Sequence, residues 1–403
     1  VHYFIVFINI QMAALLESQK LPNNIFKSLI ESSTPIKFVT KKSSTASKDE
    51  IIVHNPRMFD RFAKDGEIGL SEAYMDGDWE SSDLEYVVTV FLNCQGELLK
   101  NLKKKSLSFV WAGIKAHIAG IRNNTVESSR RNIAHHYDAG NDLYQLMLGQ
   151  HMQYTCAYYH SPGMTLDEAQ MAKMELIAKK LDLKAGMTVL DIGCGFGTMA
   201  YHLATKYHVS IKGVTLSKEQ KKYADTHYGA WEHYKIEVKD YRHVKGKFDR
   251  IYSVGMLEHV GRRNYKEYFT KVFNLLKPDG LMIIHTIATS QRVWNRHTFV
   301  AKYIFPEFEL PNLNSLTGTF SDCWHIEDLQ NFGLSYAKTL RAWNDNLGEW
   351  KGLDKYTPSF RRMWTLYLLG CAATFQTREN SLWQIVYTKK NNKRGDDCHH
   401  IRV

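Results

Sequence analysis

The sequence predicts an α/β fold: an open sheet covered by helices on both faces, preceded by a small, mostly helical N-terminal region. Three observations point there. Strand-like and helix-like runs alternate after residue 132, a glycine-rich turn follows the first of these strands, and the composition changes before it. The strand-like runs are seven: TVLDIG (188–193), VSIKGVTL (209–216), YKIEVKD (234–240), FDRIYSVG (248–255), LMIIHTIA (281–288), LSYAKTLRAW (334–343) and LWQIVYTK (382–389). Helix-like stretches fall at 168–181, 197–206, 217–229, 265–276, 325–332 and 359–375.

The chain of 403 residues is 44% hydrophobic, enough for a sizeable core and for two domains. The division expected is an N-terminal domain at 1–122 that includes a basic linker, a main domain at 123–391 and a polar tail at 392–403. The six cysteines are scattered and form no C-x-x-C pair, which fits a reducing compartment rather than a disulfide scaffold. The apolar opening VHYFIVFINIQMAALL is interrupted by Asn9 and Gln11, is short for a bilayer span and lacks a basic flank, so no anchor is expected from it.

A net charge of +10 favours an anionic partner or surface. The cations gather in one stretch: Lys100, Lys103, Lys104, Lys105, Lys115, Arg122, Arg130 and Arg131, against Glu97 and Glu127. Leu107, Phe109, Val110, Trp111 and Ile114 are interleaved with them. A basic amphipathic segment with aromatics suits an anionic lipid surface, and a solvated linker is the plainer alternative. No nucleic-acid-binding motif accompanies the charge, so no nucleic-acid partner is expected.

The turn VLDIGCGFG (189–197) sits where open α/β sheets bind ligands, beyond the carboxyl end of a strand. Its glycines allow a sharp turn and a close backbone approach. The spacing is not the G-x-G-x-x-G of a pyrophosphate site, and Asp191 precedes the first glycine. A ligand with a zwitterionic amino-acid tail and no pyrophosphate, such as S-adenosylmethionine, suits Asp191, Gly193 and Gly195 better; a bare turn or another nucleotide stays open. Thr215, Ser217 and Gln220 at the second strand end offer partners for ribose or tail. Asp240 and Tyr241 follow the third strand; Asp240 could reach an adenine amino group or act as a cap.

Across from the turn, Glu258 and His259 follow the fourth strand, and His285 lies within an apolar strand where its ring needs a hydrogen-bond partner. Upstream, 130–159 is dense in aromatic and polar residues, including Tyr137, Asp138, Tyr154, Cys156, Tyr158 and Tyr159. Such rings could close over a sulfonium and stabilise positive charge. No H-E-x-x-H pattern is present, and no metal is expected.

Over roughly residues 50–390 the chain resembles the cyclopropane-fatty-acyl-phospholipid synthases. The likeness rests on AYMDGDWE, HHYDAGNDLY, QYTCAYY, VLDIGCGFG, GVTLSKEQ, KFDRIYSVGMLEHVG, LLKPDGLMIIHTI, HIEDLQNFGLSYAKTLRAW and CAATFQTRENSLWQIVY. The resemblance implies a seven-stranded class I S-adenosylmethionine-dependent methyltransferase domain, Rossmann-like, and methylene transfer to a cis double bond in a phospholipid acyl chain. It implies a bound bicarbonate serving as base, caged by Cys156, Glu258, His285, the backbone of Ile287, and Tyr336. Cofactor contacts carried over are Tyr154, Thr155, Gly193, Gly195, Thr215, Leu216 and Gln220, with Tyr137, Asp191, Asp240 and Tyr241 as further candidates. The family also marks Cys371; its small-residue surroundings, LLGCAATF, read instead as close packing. A cytoplasmic enzyme that docks transiently on the inner membrane face, with a tendency to homodimers, completes what the likeness implies. The rival readings are a lipid methyltransferase leaving a methyl branch, a small-molecule N- or O-methyltransferase, and a non-enzymatic binding protein.

Overall fold

The computed structural model describes residues 23–40, 47–103, 140–229, 231–290, 298–306, 308–318, 322–390 and 392. Tyr137 and most of the basic stretch, from Lys104 to Arg131, lie outside these. The chain divides into two compact units, one formed by 1–122, 291–306 and 347–379, the other by 123–290, 307–346 and 380–403.

In chain order the first unit begins with α1 (Asn23–Ser33), β1 (Lys37–Val39), β2 (Glu50–Val53), α2 (Arg57–Met75), β3 (Trp79–Ser81), α3 (Leu84–Asn93) and α4 (Gln95–Lys103). The second unit contributes α5 (Asn141–Leu148), α6 (Leu166–Lys180), β4 (Thr188–Ile192), α7 (Thr198–Tyr207), β5 (Ser210–Thr215), α8 (Lys218–Tyr228), β6 (Tyr234–Val238), β7 (Phe248–Val254), α9 (Tyr265–Leu275) and β8 (Leu276–Thr289). After α10 (Phe299–Tyr303) of the first unit come α11 (Leu313–Thr317), β9 (Trp324–Asn331) and α12 (Gly333–Leu347). Helix α13 (Pro358–Gln376) belongs to the first unit, and β10 (Asn380–Lys389) returns to the second.

The first unit is a small helical body around a three-stranded sheet in the order β1-β2-β3. The acidic turn AYMDGDWE closes onto it. Buried Asp78 accepts from Arg57 Nε at 2.8 Å and from Arg61, and Trp79 donates its indole N–H to the carbonyl of Leu70 at 2.9 Å. Arg362 of α13 lies over the Tyr74 ring, 4.1 Å from its centroid, and donates to the carbonyls of Tyr74 and Trp79.

The second unit is a seven-stranded sheet in the order β6-β5-β4-β7-β8-β10-β9. Strands β6 to β8 run parallel, and β10 is antiparallel to both β8 and β9. Because side chains alternate along a strand, neighbours in one run feed two cores. Val189, Ile283 and Val386 pack with Met174, Ile177 and Leu203 on one face. Leu190, Ile284 and Ile385 pack with Tyr268, Phe269 and Val272 on the other. Near-continuous apolar runs such as LMIIHTIA follow from burial on both faces.

Two expected elements exchange character. Residues 325–332, read as helix, form edge strand β9, and 334–343, read as strand, lie in helix α12. Short apolar runs leave period 2 and period 3.6 hard to separate, and partners decide. In β9 the backbone is committed by its ladder to β10, from Trp383–Asn331 to Lys389–Trp324. In α12 the buried residues Tyr336, Ala337, Leu340 and Trp343 follow helical spacing.

Helix α6 grips the new edge strand through a buried ion pair: Lys180 Nζ donates to Asp328 Oδ2 at 2.7 Å. Removing one partner takes the ion pair away from the buried charge that remains. Lys180→Met should therefore cost about 3–5 kcal/mol in urea unfolding, and adding Asp328→Leu should recover most of the loss. A double variant no more stable than the single one would contradict this.

Candidate active site

Strand order reverses between β4 and β7, so the chain crosses outward in both directions from the carboxyl end of β4. The glycine turn stands there. Gly193, Gly195 and Gly197 have φ of 85°, 55° and 81°. A Cβ on Gly193 would strike Met256 at 2.7 Å, so that glycine is needed for packing. A Cβ on half-buried Gly195 would meet nothing within 4 Å. The backbone at Gly195 is thus an open cradle that a ligand can approach.

Ahead of the turn, Asp191 is buried, and burial raises its carboxyl to about 7 against the pull of Tyr252 and Lys173. Lys173, on α6, is buried as well and lowered by that burial to about 7, with Cys156 and Asp191 opposing. Its Nζ donates to Gln153 Oε1 at 2.9 Å and to Thr155 Oγ1 at 2.8 Å. Gln170, one turn earlier on α6, donates to the carbonyls of Gln153 and Thr155 at 3.2 and 3.0 Å. The segment carrying Tyr154, Thr155 and Cys156 is therefore held by two polar side chains from one helix face. Thr155 also abuts the end of β7, where a Cβ on Gly255 would meet its methyl at 2.8 Å.

At the end of β5, Thr215 Oγ1 donates to Gln220 Oε1 at 2.6 Å, leaving the Gln220 amide nitrogen as a donor. Leu216 follows, half-buried. Asp240 serves as a cap: its carboxylate accepts from the backbone N–H, Nε and Nη2 of Arg242, each at 2.9 Å. That engagement favours the capping alternative over an adenine contact. Tyr241 stands edge-on to Tyr268, with centroids 5.3 Å apart.

Three members of the expected cage, Glu258, His285 and Ile287, stand at the carboxyl ends of β7 and β8. Glu258 lies on a single 3-10 turn after β7, and its Oε1 accepts from the backbone N–H of Ile287 at 2.7 Å. Burial raises its carboxyl to about 7. His285 is 1% exposed, and burial, reinforced by Lys173 and Lys180, pushes its ring well below the usual histidine range, so it is neutral. Burial raises the Cys156 thiol far above its ordinary value, and its Sγ donates to the Ala157 carbonyl at 3.2 Å. That thiol is no nucleophile.

Helix α12 ties these pieces together. Thr339 Oγ1 accepts from the Ala157 N–H at 3.0 Å, and Ser335 Oγ accepts from the Tyr159 N–H at 3.3 Å. Tyr336 lies between those anchors, and Phe332, at the entrance to α12, sets its ring edge-on to both Tyr158 and His285. A chain of rings runs from the glycine turn to Tyr336: Phe196, Tyr144, Tyr154, Trp343 and Tyr336, with successive centroids 6.1, 5.4, 5.2 and 6.1 Å apart. Such a wall can stabilise a cation.

Two atoms of the cage stand out. Glu258 Oε2 and His285 Nε2 are buried with no hydrogen-bond partner among the described residues. Buried polar atoms are rarely left so unless something else satisfies them. A carboxylate oxygen accepts and a neutral ring N–H donates, and this suits a small anion carrying one hydroxyl.

Cys371 belongs to the first unit, on α13, where burial with Glu67 behind it lifts the thiol to about 12. Among the described residues no group of three metal-ligating side chains gathers. Sequence reasoning missed Lys173, Gln170, Trp343, Phe332, Tyr144 and Gln384. Gln170 and Lys173 were detectable as polar residues recurring at helical spacing within the buried stripe of α6.

The architecture matches solved structures closely. The cyclopropane synthase MmaA2 from Mycobacterium tuberculosis is 28% identical with a TM-score of 0.61, covering 65% of this chain and 98% of that one. The mycolic acid cyclopropane synthase CmaA1, in complex with SAH and CTAB, is 31% identical with the same TM-score and coverage. Coclaurine N-methyltransferase, at 19% identity and a TM-score of 0.63, shares the fold over 79% of this chain. Sheet order, glycine turn and neighbours define a Rossmann-like class I S-adenosylmethionine-dependent methyltransferase core with a helical N-terminal subdomain. Residues 124–385 match the mycolic acid cyclopropane synthetase family. The cyclopropane-fatty-acyl-phospholipid synthase of Escherichia coli K12 is 40% identical over 347 residues, 84% of this chain and 88% of that protein. The chain belongs to the cyclopropane-fatty-acyl-phospholipid and mycolic acid cyclopropane synthase family of enzymes.

The raised carboxyl at Glu258 fixes a stability signature. Its folded value lies above the ordinary 4.5, so the penalty for burying its charge is absent at low pH and accrues as pH rises from about 4.5 to about 7. Relative to the parent, Glu258→Gln should gain stability between pH 4.5 and pH 8, by up to about 3 kcal/mol. A pH-independent difference in carbonate-free buffer would refute the assignment.

Proposed function

We propose that this chain transfers a methylene group from S-adenosylmethionine to the cis double bond of an unsaturated acyl chain in a membrane phospholipid, forming a cyclopropane ring with bicarbonate as the base. The observation that carries this reading is the pair of buried, unpartnered atoms, Glu258 Oε2 and His285 Nε2, in a unit whose glycine turn opens a line of aromatic rings. S-adenosylmethionine would supply an electrophilic methyl when bound, and Gly193, Gly195, Thr215 and Gln220, with Tyr154 and Thr155 from the other segment, would hold it. Bicarbonate would be held by Glu258 and His285, with Cys156, Tyr336 and the Ile287 backbone as the further members of the cage that the resemblance implies, and it would supply a proton acceptor that no neutral side chain here provides.

The rest of the work is done by the chain itself. An alkene is a weak nucleophile, so methyl transfer builds positive charge on a hydrocarbon carbon. Tyr154, Trp343 and Tyr336 pack against one another in one line of rings, and a π face turned toward that carbon would stabilise its charge, more strongly at low dielectric. Exclusion of water by these rings protects a cationic carbon from hydroxylation. Glu258, fixed by the Ile287 N–H, would accept the hydroxyl hydrogen bond of the anion, while His285 would donate to another of its oxygens.

Glu258→Gln tests the reading. It should retain S-adenosylhomocysteine binding yet lose roughly a thousandfold in turnover, the scale of a lost proton-transfer or charge-stabilising group. Turnover near that of the parent, or turnover indifferent to added bicarbonate, would sink it. Mass spectrometry of vesicle lipids after incubation with labelled S-adenosylmethionine separates a cyclopropane from a methyl branch, and labelled small amines or alcohols would mark the N- or O-transfer rival.

The substrate lies in a membrane, and among the described residues no helix is long and apolar enough to cross one. We read the protein as cytoplasmic, docking transiently through its basic segment. Each cation near an anionic surface contributes about 1 kcal/mol. Binding to anionic vesicles should fall at high salt and after neutralisation of Lys103, Lys104 and Lys105; binding unchanged in both cases would remove this part of the reading. A homodimer, carried by the family resemblance, is checked by sedimentation.

A further inference from the structure

We infer that Gln384 is a positioning residue that holds His285 in its Nε2–H tautomer, so that the ring donates to, and does not accept from, whatever occupies the site beside Glu258. Gln384 sits on β10 directly opposite His285 on β8, in antiparallel register. Both are buried, at 0% and 1% exposure, and the Gln384 amide nitrogen lies 3.4 Å from His285 Nδ1. An amide NH2 is a donor only, so the ring nitrogen it faces must be unprotonated. A neutral imidazole carries a single proton, which then resides on Nε2.

Burial and the two nearby ammonium groups, Lys173 and Lys180, keep the ring neutral, which removes the doubly protonated form. The Phe332 ring, edge-on at 5.6 Å, fixes the plane in which the imidazole lies. Nε2 has no partner among the described residues, so its proton is available to a ligand. The opposite amide orientation would place the proton on Nδ1 and leave Nε2 as a bare acceptor. Glu258 Oε2 is already an acceptor, and two acceptors would repel an anion. The donor–acceptor polarity of the cage is thus set one strand away, by a residue that does not touch the ligand.

The inference rests on the bicarbonate reading for what meets the Nε2 proton and for rejecting the opposite amide orientation; the spectrum below locates the proton independently of it. Nitrogen-edited NMR of the full chain with labelled histidine, the His285 signal identified by its loss in His285→Asn, should show a proton-coupled Nε2 and a bare Nδ1. In Gln384→Glu the carboxylate accepts from Nδ1. The proton should move there, and the bicarbonate concentration for half-maximal turnover should rise at least about tenfold, the scale of one hydrogen bond to an ion, with S-adenosylhomocysteine affinity unchanged. A wild-type ring protonated on Nδ1, or an unmoved proton in Gln384→Glu, overturns the inference. If that variant does not fold, the wild-type spectrum alone decides. Turnover indifferent to bicarbonate with the proton on Nε2 would sink the bicarbonate reading and leave Gln384 in its role; bicarbonate-dependent turnover with the proton on Nδ1 would do the reverse.

Discussion

Burying ionisable groups at the end of an apolar sheet is costly, and the second unit is organised around meeting that cost. Asp191, Lys173, Glu258 and His285 all lie within the protein, and each is displaced from its ordinary proton affinity mainly by burial. The fold offsets the penalty only in part. Lys173 is satisfied by Gln153 and Thr155, and Glu258 has one oxygen satisfied by the Ile287 N–H. The remaining bare atoms are what a ligand can use.

Such groups must be held without water, so the scaffold around them is rigid and multiply tied. The segment from Gln153 to Tyr159 makes no regular element of its own. It is pinned by Gln170 and Lys173 on one side and by Ser335 and Thr339 on the other. Helix α6 thus serves two ends of the sheet, reaching Thr155 through Lys173 and edge strand β9 through Lys180. The aromatic wall extends this economy: rings from the glycine turn, α5, the pinned segment and α12 share one line of contacts, so one set of side chains packs four pieces of the chain together.

Much of the fold was legible because periodicity and punctuation agreed. The strands at 188–192, 210–215, 234–238 and 248–254 lie within the expected runs, and helices before and between them begin at residues suited to capping, such as Thr165 and Ser217. The exchange at 325–343 marks the limit of that method, since β9 owes its state to β10 and α12 owes its state to the core it covers. The three-stranded sheet of the first unit escaped notice for a related reason: strands of three or four residues carry too little alternation to read.

By itself, the sequence determined the chemistry on offer: a glycine turn after an aspartate, a carboxylate and a histidine at later strand ends, and aromatic residues upstream. These are local facts, written in residue type and spacing. Tertiary structure alone decided which oxygen and which nitrogen stay bare, that Asp240 spends its carboxylate on Arg242, and that Lys173 and Gln384 stand behind the site. Satisfaction of a buried polar atom depends on partners brought from distant parts of the chain, and neither composition nor periodicity encodes that pairing.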